Sequence, residues 1–222
     1  AAQQHWAVAA GDIKTAFLNG DKTEYQREIF AEPPEEVKEM LGMSDQDLFR
    51  VLKAVYGLLH APRVWFEKLA SVLESHGWIR SRLEPCVWKL YDGGCLIGLI
   101  GAHVDDLLAV GDVTHELYVQ KIEELRKAFP FGSWKEAQKE AITFCGCTLT
   151  QFDDGSIELS QERYADTISE LNLTKERKQE KDSRLNENEK KQFRNILGAL
   201  AWRATQTAPW LSASTSYLQG CF

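Results

Sequence analysis

The chain opens with an apolar run, Trp6-Ala-Val-Ala-Ala10, that breaks at Gly11-Asp12, and this predicts a buried strand with a carboxylate at its end. Lys14 to Leu18 turns away, and Asn19-Gly20-Asp21 is a strong breaker. Residues 22–47 read as irregular and acidic, interrupted by Pro33-Pro34, before a short apolar run at Leu48-Phe49-Arg50-Val51 predicts another strand. Ala61-Pro62-Arg63 opens a helix, with proline in the first turn. Its apolar positions Val64, Trp65, Leu69, Val72 and Leu73 recur at helical spacing until His76-Gly77. Two strands, 86–91 and 95–102, flank the turn Asp92-Gly93-Gly94. The second runs through Val104-Asp105-Asp106 into Leu107-Leu108-Ala109-Val110 and ends at Gly111-Asp112.

Beyond it the pattern predicts a helix over 114–128, with Leu117, Ile122, Leu125 and Phe129 on its apolar side. A hairpin of 142–150 and 156–160 turns at Asp153-Asp154-Gly155, and a helix over 161–171 follows it. Residues 174–191 are nearly all charged and polar, as in a solvated linker or an exposed helix. An amphipathic helix over about 190–204 precedes a less legible end. Strands and helices alternate irregularly around a central antiparallel hairpin, so the fold class is α+β rather than a doubly wound sheet.

Composition narrows this little. The 222 residues suit one large domain or two small ones, and 44% hydrophobic content is ordinary for a folded chain. No window approaches roughly 18 consecutive apolar residues, which argues against a membrane-spanning helix. A basic start followed by an apolar core is also missing, so no signal peptide is visible. Cys86, Cys95, Cys145, Cys147 and Cys221 form no zinc-type spacing and read as reduced, mostly packed thiols of an intracellular protein. The net charge of −7 argues mildly against nucleic-acid binding. That argument is weak, because one basic cleft suffices on an otherwise acidic surface.

The chemistry lies in Leu96 to Gly111, where Asp105-Asp106 stands between apolar runs. Adjacent carboxylates repel and lose hydration if buried. At a hairpin tip a divalent cation offsets that repulsion, and oxygen-only ligands favour Mg²⁺ or Mn²⁺ over zinc. An acidic turn with no function reads the same way locally. Asp12, a third carboxylate at a distant strand end, shifts the balance. Three carboxylates from two strand ends are the minimum for two metals about 3.5–4 Å apart, which points to phosphoryl transfer. The chain has no Walker loop, GxSxG, HExxH or GxGxxG to compete with it.

Asp12-Ile-Lys-Thr-Ala-Phe-Leu-Asn-Gly20 resembles the first palm motif of copia-type retrotransposon reverse transcriptases. Tyr56-Gly-Leu-Leu-His-Ala-Pro-Arg-Val-Trp65, Val104-Asp-Asp-Leu-Leu108 and Phe144-Cys-Gly146 resemble later blocks of the same family, in family order, and Leu159-Ser-Gln-x-x-Tyr164 and Ile196-Leu-Gly198 extend the likeness. The resemblance implies an RNA-directed DNA polymerase domain of a Pol polyprotein, with two-metal nucleotidyl transfer to a DNA primer on an RNA template from deoxynucleoside triphosphates. It implies a palm over 1–160, with partial fingers at roughly 21–60, and thumb- or connection-like helices over 161–222 around the charged linker 174–191. Asp12 and Asp105 would be the principal ligands of Mg²⁺ or Mn²⁺, and Asp106 the third carboxylate.

The same resemblance puts Phe17 under the nucleotide sugar, where it also reads as a core residue. It puts Tyr56 and Gly57 by the nucleotide and templating base, and Arg63 at a phosphate or in a local structural role. His103, standing where the family usually has tyrosine, and the Phe144–Gly146 turn would lie near the primer. Thr207-Ala-Pro-Trp-Leu stands where the family has Thr-Arg-Pro-Asp-Ile. Only eleven residues, none of them Lys or Arg, precede Asp12, so the N-terminal fingers are expected to be absent, as are integrase and ribonuclease H regions. Missing fingers would impair triphosphate positioning, so the alternative to a polymerase is a catalytically inactive remnant that at most binds. A metal-dependent nuclease is a third reading. The expected location is intracellular, in cytoplasm, particle or nucleus.

Overall fold

Small residues and alternation make the first strand, β1 (Ala7–Ile13). Gly11 is required there by space, because a Cβ on it would stand 2.5 Å from the Trp134 ring. The computed structural model describes residues 1–21, 28–180 and 183–220, and the chain divides into two compact units, 1–140 and 141–222. Residues 22–27 of the irregular stretch, Lys181 and Asp182 of the charged stretch, and Cys221 lie outside the described residues.

In the first unit β1 is followed by β2 (Phe30–Ala31), α1 (Glu35–Leu41) and β3 (Phe49–Arg50), and β2 and β3 pair as a small antiparallel ribbon. The helix within the supposedly irregular 22–47 is a correction. Its acidic first turn at Glu35-Glu36 suits a helix N-terminus, and Gly42 closes it at φ 65°. Helix α2 (Ala61–Ser75) buries Ala61, Trp65, Leu69 and Leu73 at a strict spacing of four, and Gly77 at φ 89° turns the chain out of it.

Next come β4 (Ile79–Arg80), β5 (Val87–Asp92), β6 (Cys95–His103), β7 (Asp106–Gly111), α3 (Glu116–Ala128) and β8 (Phe131–Glu136). The six main strands form one antiparallel sheet in the order β4-β5-β6-β7-β1-β8. Gly93 and Gly94, at φ 55° and 85°, make a two-residue turn between β5 and β6, and Asp92 of the expected turn pairs with Cys95 as the last residue of β5. Strand β8 was not legible, since Phe-Gly-Ser-Trp-Lys-Glu lacks alternation. One face of the sheet carries Leu107, Ala109, Ile100 and Trp88 into a core completed by Trp65, Leu69 and Leu73 of α2 and Tyr118 and Leu125 of α3. The Tyr118 ring lies over the paired Gly98 and Gly111, where added Cβ atoms would come within 2.5 and 2.2 Å of it. Its burial pushes the phenol well above its ordinary range.

The second unit begins with β9 (Ile142–Phe144), β10 (Cys147–Gln151) and β11 (Ile157–Ser160), an antiparallel sheet in the order β11-β10-β9. The expected strand 142–150 is thus broken in two. Cys145 and Gly146, at φ 49° and 75°, form a two-residue turn that folds β9 back on β10. The helix expected over 161–171 is only the single turn α4 (Glu162–Ala165). The charged stretch contains α5 (Lys175–Gln179), and the long helix α6 (Glu187–Gln206) begins three residues earlier than its apolar pattern suggests. A capping box sets that start: Asn186 accepts from the Glu189 amide, and Glu189 accepts from the Asn186 amide, each at 2.9 Å. Arg177 of α5 donates to the Glu189 carboxylate at 2.8 and 3.0 Å, which holds that carboxyl below its usual range. The chain continues through Pro209–Leu211 into α7 (Ser212–Gln219). Mixed helices and antiparallel sheets bear out the α+β reading. Among the described residues Cys86, Cys95, Cys145 and Cys147 form no disulfide, and only Cys147 is buried, so the expected packing of most of these thiols is not seen. Among the described residues no helix is long and apolar enough to cross a membrane.

Candidate active site

The antiparallel pairing of β1 with β7 sets Asp12 directly opposite Asp106, and the pairing of β6 with β7 sets His103 opposite Asp106 on the other side. Directly opposed residues share a face, so these three side chains form one row across three strands. Asp106 precedes the fully buried Leu107, and alternation turns its carboxylate to the face away from that core. Asp105 sits in the two-residue loop, Val104–Asp105, between β6 and β7. Its carbonyl accepts from the Ile13 amide at 2.9 Å, which ties the loop to the residue after Asp12.

Asp12, Asp105 and Asp106 are all half-buried, and among the described residues none of them forms an ion pair. Burial pushes the Asp106 carboxyl above the usual carboxylate range, the charges of Asp105 and Asp12 push it further, and His103 pulls it partly back. Among the described residues no three His, Cys, Asp or Glu side chains, as placed, form a group that could hold an ion. The fit of a divalent cation therefore rests on donor chemistry. Asp12, Asp105 and Asp106 offer oxygen donors only, and among the described residues no ion pair engages them, which is the donor chemistry that suits a hard cation.

Two local features were not legible in the sequence. Strand β8 runs beside β1 with Ser133 opposite Asp12 and Phe131 opposite Ile13, which leaves Gly132 as the extra residue of a bulge. A Cβ on Gly132 would stand 2.7 Å from Oδ2 of Asp12 and 3.3 Å from Cγ of Lys14, so the Asp12 carboxylate occupies space that only glycine leaves open. Val104 has φ 56°, a left-handed conformation for a β-branched residue at a loop position that favours glycine. Strain of this kind costs on the order of 1–3 kcal/mol and marks places where surroundings over-determine the backbone.

The other anticipated residues are not members of this row. Phe17, only 8% exposed, belongs to the core cluster, and its ring meets that of Tyr56 edge-on at a centroid distance of 4.5 Å. Tyr56 is 60% exposed. Gly57 has φ 93° with open space where a Cβ would stand, so conformation explains the glycine there. Arg63 donates to Glu67 one turn along α2 at 2.8 Å, which raises its guanidinium further above its already high range. Phe144 and Gly146 flank and form the β9–β10 turn of the second unit.

The chain is similar to known proteins. The family described as reverse transcriptase (RNA-dependent DNA polymerase) matches residues 1–181. The retrovirus-related Pol polyprotein from transposon TNT 1-94 of Nicotiana tabacum is 32% identical over 162 residues, which covers 72% of this chain and 11% of the polyprotein. The corresponding polyprotein from transposon RE2 of Arabidopsis thaliana is 30% identical over 179 residues, covering 78% of this chain and 11% of its own length. A transposon Ty5-1 protein of Saccharomyces cerevisiae is 29% identical over 171 residues, covering 74% of this chain and 51% of that protein. The chain spans about a tenth of the plant polyproteins it matches.

Proposed function

The chain belongs to the reverse transcriptase (RNA-dependent DNA polymerase) family, and from that premise we propose that it carries the catalytic carboxylates for RNA-directed DNA synthesis in a copia-type Pol polyprotein. The observation that carries the proposal is the row Asp12–Asp106–His103 with Asp105 in the adjoining loop, three carboxylates at one end of an antiparallel sheet that form no ion pair among the described residues. In this reading residues 1–160 are the palm with partial fingers at 21–60, and residues 161–222 begin the thumb.

Asp12, Asp105 and Asp106 would hold a pair of Mg²⁺ or Mn²⁺ ions, whose charge activates a primer hydroxyl and stabilises departing pyrophosphate. The protein's own part is orientation. Strands β1 and β7 hold Asp12 against Asp106, and the Ile13–Asp105 hydrogen bond fixes the distance between their carriers. His103, at the open end of the row, would donate to or stack on the primer end. The Phe144–Gly146 turn would support the primer in the same reading. Tyr56 would present its exposed ring to the nucleotide with Phe17 packed behind it, and the Gly57 backbone would lie against the base pair. Arg63 would reach phosphate only by leaving Glu67. The partners would be an RNA template, a DNA primer and deoxynucleoside triphosphates, and the site of action intracellular.

Primer extension on an RNA template with Mg²⁺ or Mn²⁺ tests the proposal, both with the 222-residue chain and with the chain inside a longer polyprotein segment. Extension that Asp105→Asn abolishes supports it. Mn²⁺ binding without extension in either form leaves a binding module without catalysis, and cleavage without extension points to a nuclease. A wild-type chain that binds no Mn²⁺ refutes the carboxylate assignment itself.

A further inference from the structure

The strained loop that carries Asp105 has a second tie besides the Ile13 amide. The indole Nε1–H of Trp65 donates to the Val104 carbonyl at 2.6 Å, across 39 residues of chain. Trp65 is 2% exposed, one turn into α2, with its ring edge-on to Phe129 at 5.2 Å. An apolar cavity of about 170 Å³ is lined by both ends of this contact, together with Phe66, Leu69, Cys86 and Ala102. Side-chain packing is incomplete just where the loop meets the helix. The hydrogen bond is therefore the specific restraint there. Nor does it simply accompany tryptophan burial: the equally buried indole N–H groups of Trp78 and Trp88 find no acceptor among the described residues.

Successive carbonyls of one strained loop, Val104 and Asp105, are thus held by donors from two elements, Trp65 of α2 and Ile13 of β1. We propose that Trp65 is a positioning residue for the Asp105–Asp106 pair: its indole N–H holds the Val104 loop in the left-handed shape that keeps both carboxylates beside Asp12. A valine leaves such a conformation readily when released, whereas a glycine is at home there. The inference rests on the metal-site reading for its consequence, but the clamp itself can be measured without metal.

The experiment compares the wild-type chain with Trp65→Phe, Leu69→Val, Val104→Gly and Trp65→Phe/Val104→Gly, by Mn²⁺ titration and by hydrogen exchange of the Ile13 amide. Trp65→Phe keeps an aromatic ring and loses the donor; it is expected to weaken Mn²⁺ about tenfold or more, in the range for supports of metal ligands, and to speed Ile13 exchange. Leu69→Val lines the same cavity without touching the hydrogen bond, and both readouts should stay within about twofold of wild type. In the Val104→Gly background Trp65→Phe should cost less than about threefold, because the loop no longer needs the clamp. Wild-type Mn²⁺ affinity and wild-type Ile13 protection in Trp65→Phe would overturn the proposal, as would Leu69→Val reproducing both losses. If Trp65→Phe does not fold, the wild-type Trp65 indole proton decides. Protection matching that of the Ile13 amide supports the clamp, and free exchange overturns it. Should the wild type bind no Mn²⁺, the carboxylate reading fails, and the exchange data alone decide the clamp.

Discussion

A Cβ added at Gly132 would stand 2.7 Å from Oδ2 of Asp12, where ordinary contact begins near 3.4 Å. The difference means that in Gly132→Ala the carboxylate oxygen, or the strand carrying the new methyl, must retreat by about 0.7 Å. The carboxylate is the softer partner, a short flexible side chain facing a hydrogen-bonded strand. The added methyl would also lie 3.3 and 3.5 Å from Cγ and Cε of Lys14. The Gly132 backbone is not in the left-handed region, so alanine adopts it without strain. Losing a glycine also reduces the freedom of the unfolded chain, worth about 0.4–1 kcal/mol in favour of folding. Global stability should therefore change by less than about 1 kcal/mol while the Asp12 carboxylate moves. Displacements approaching 1 Å cost up to about a hundredfold in reactions that depend on position, and losing support of a metal ligand costs about 10–100-fold in affinity or activity.

Gly132→Ala should accordingly bind Mn²⁺ at least about tenfold more weakly than wild type, with an unfolding midpoint in urea close to the wild-type value. Gly101→Ala on β6 is the matched control, because a Cβ there meets nothing within 4 Å. Mn²⁺ affinity is read from the electron paramagnetic resonance of the free ion. Unchanged affinity in Gly132→Ala would refute the claim that the bulge reserves space for the Asp12 carboxylate. A stability loss above about 3 kcal/mol would refute it differently, by showing that Gly132 serves packing.

Three further outcomes are expected. Gly111→Ala should lose about 1–3 kcal/mol in urea unfolding, because its methyl would invade the Tyr118 ring that lies on it; an unchanged midpoint would remove that packing argument. Glu189 has a folded pKa held below its ordinary value of 4.5, chiefly by Arg177, so its contribution is present above that value and lost as pH falls through the lowered one. The stability advantage of wild type over Glu189→Gln should therefore shrink with acidification below about pH 4.5, and a difference constant from neutral to acid pH would contradict the sign. Asp112 is held below the carboxylate range by the Thr114 hydroxyl and amide, so Thr114→Val should raise its titration midpoint by NMR, and an unmoved midpoint would deny the hydroxyl that role.

The elements legible from residue pattern were those whose cause is local. Helix α2 was readable because Pro62 and the apolar spacing from Ala61 to Leu73 are written within fifteen residues. The β5–β6 hairpin was readable because Gly93-Gly94 dictates its own turn. Elements determined by distant partners were misread. Strand β8 has no alternation of its own and exists because β1 offers an edge, with Trp134 filling the space over Gly11. Residues 161–171 have helical composition, yet within them only Glu162–Ala165 is helical. Helix α6 begins where Asn186 and Glu189 cap it rather than where its apolar stripe starts.

The same division runs through the site. That Asp12, Asp105 and Asp106 belong together could be argued from residue type and from the apolar runs delivering them, because isolated carboxylates there would be costly. Which pairs with which could not. Register decides that, and register follows from the whole sheet: it sets Asp12 opposite Asp106 and leaves Asp105 in the loop. The supports were still less accessible. Gly132 matters because a bulge displaces it toward Asp12, and Trp65 because a helix beginning forty-odd residues earlier in the chain aims its indole at one carbonyl. Neither is chemically distinctive, and their neighbours in space are remote in sequence. Carboxylates advertise themselves by charge, whereas the groups that hold them in place do so by shape, and for that reason the positioning residues are where substitution can separate binding geometry from stability.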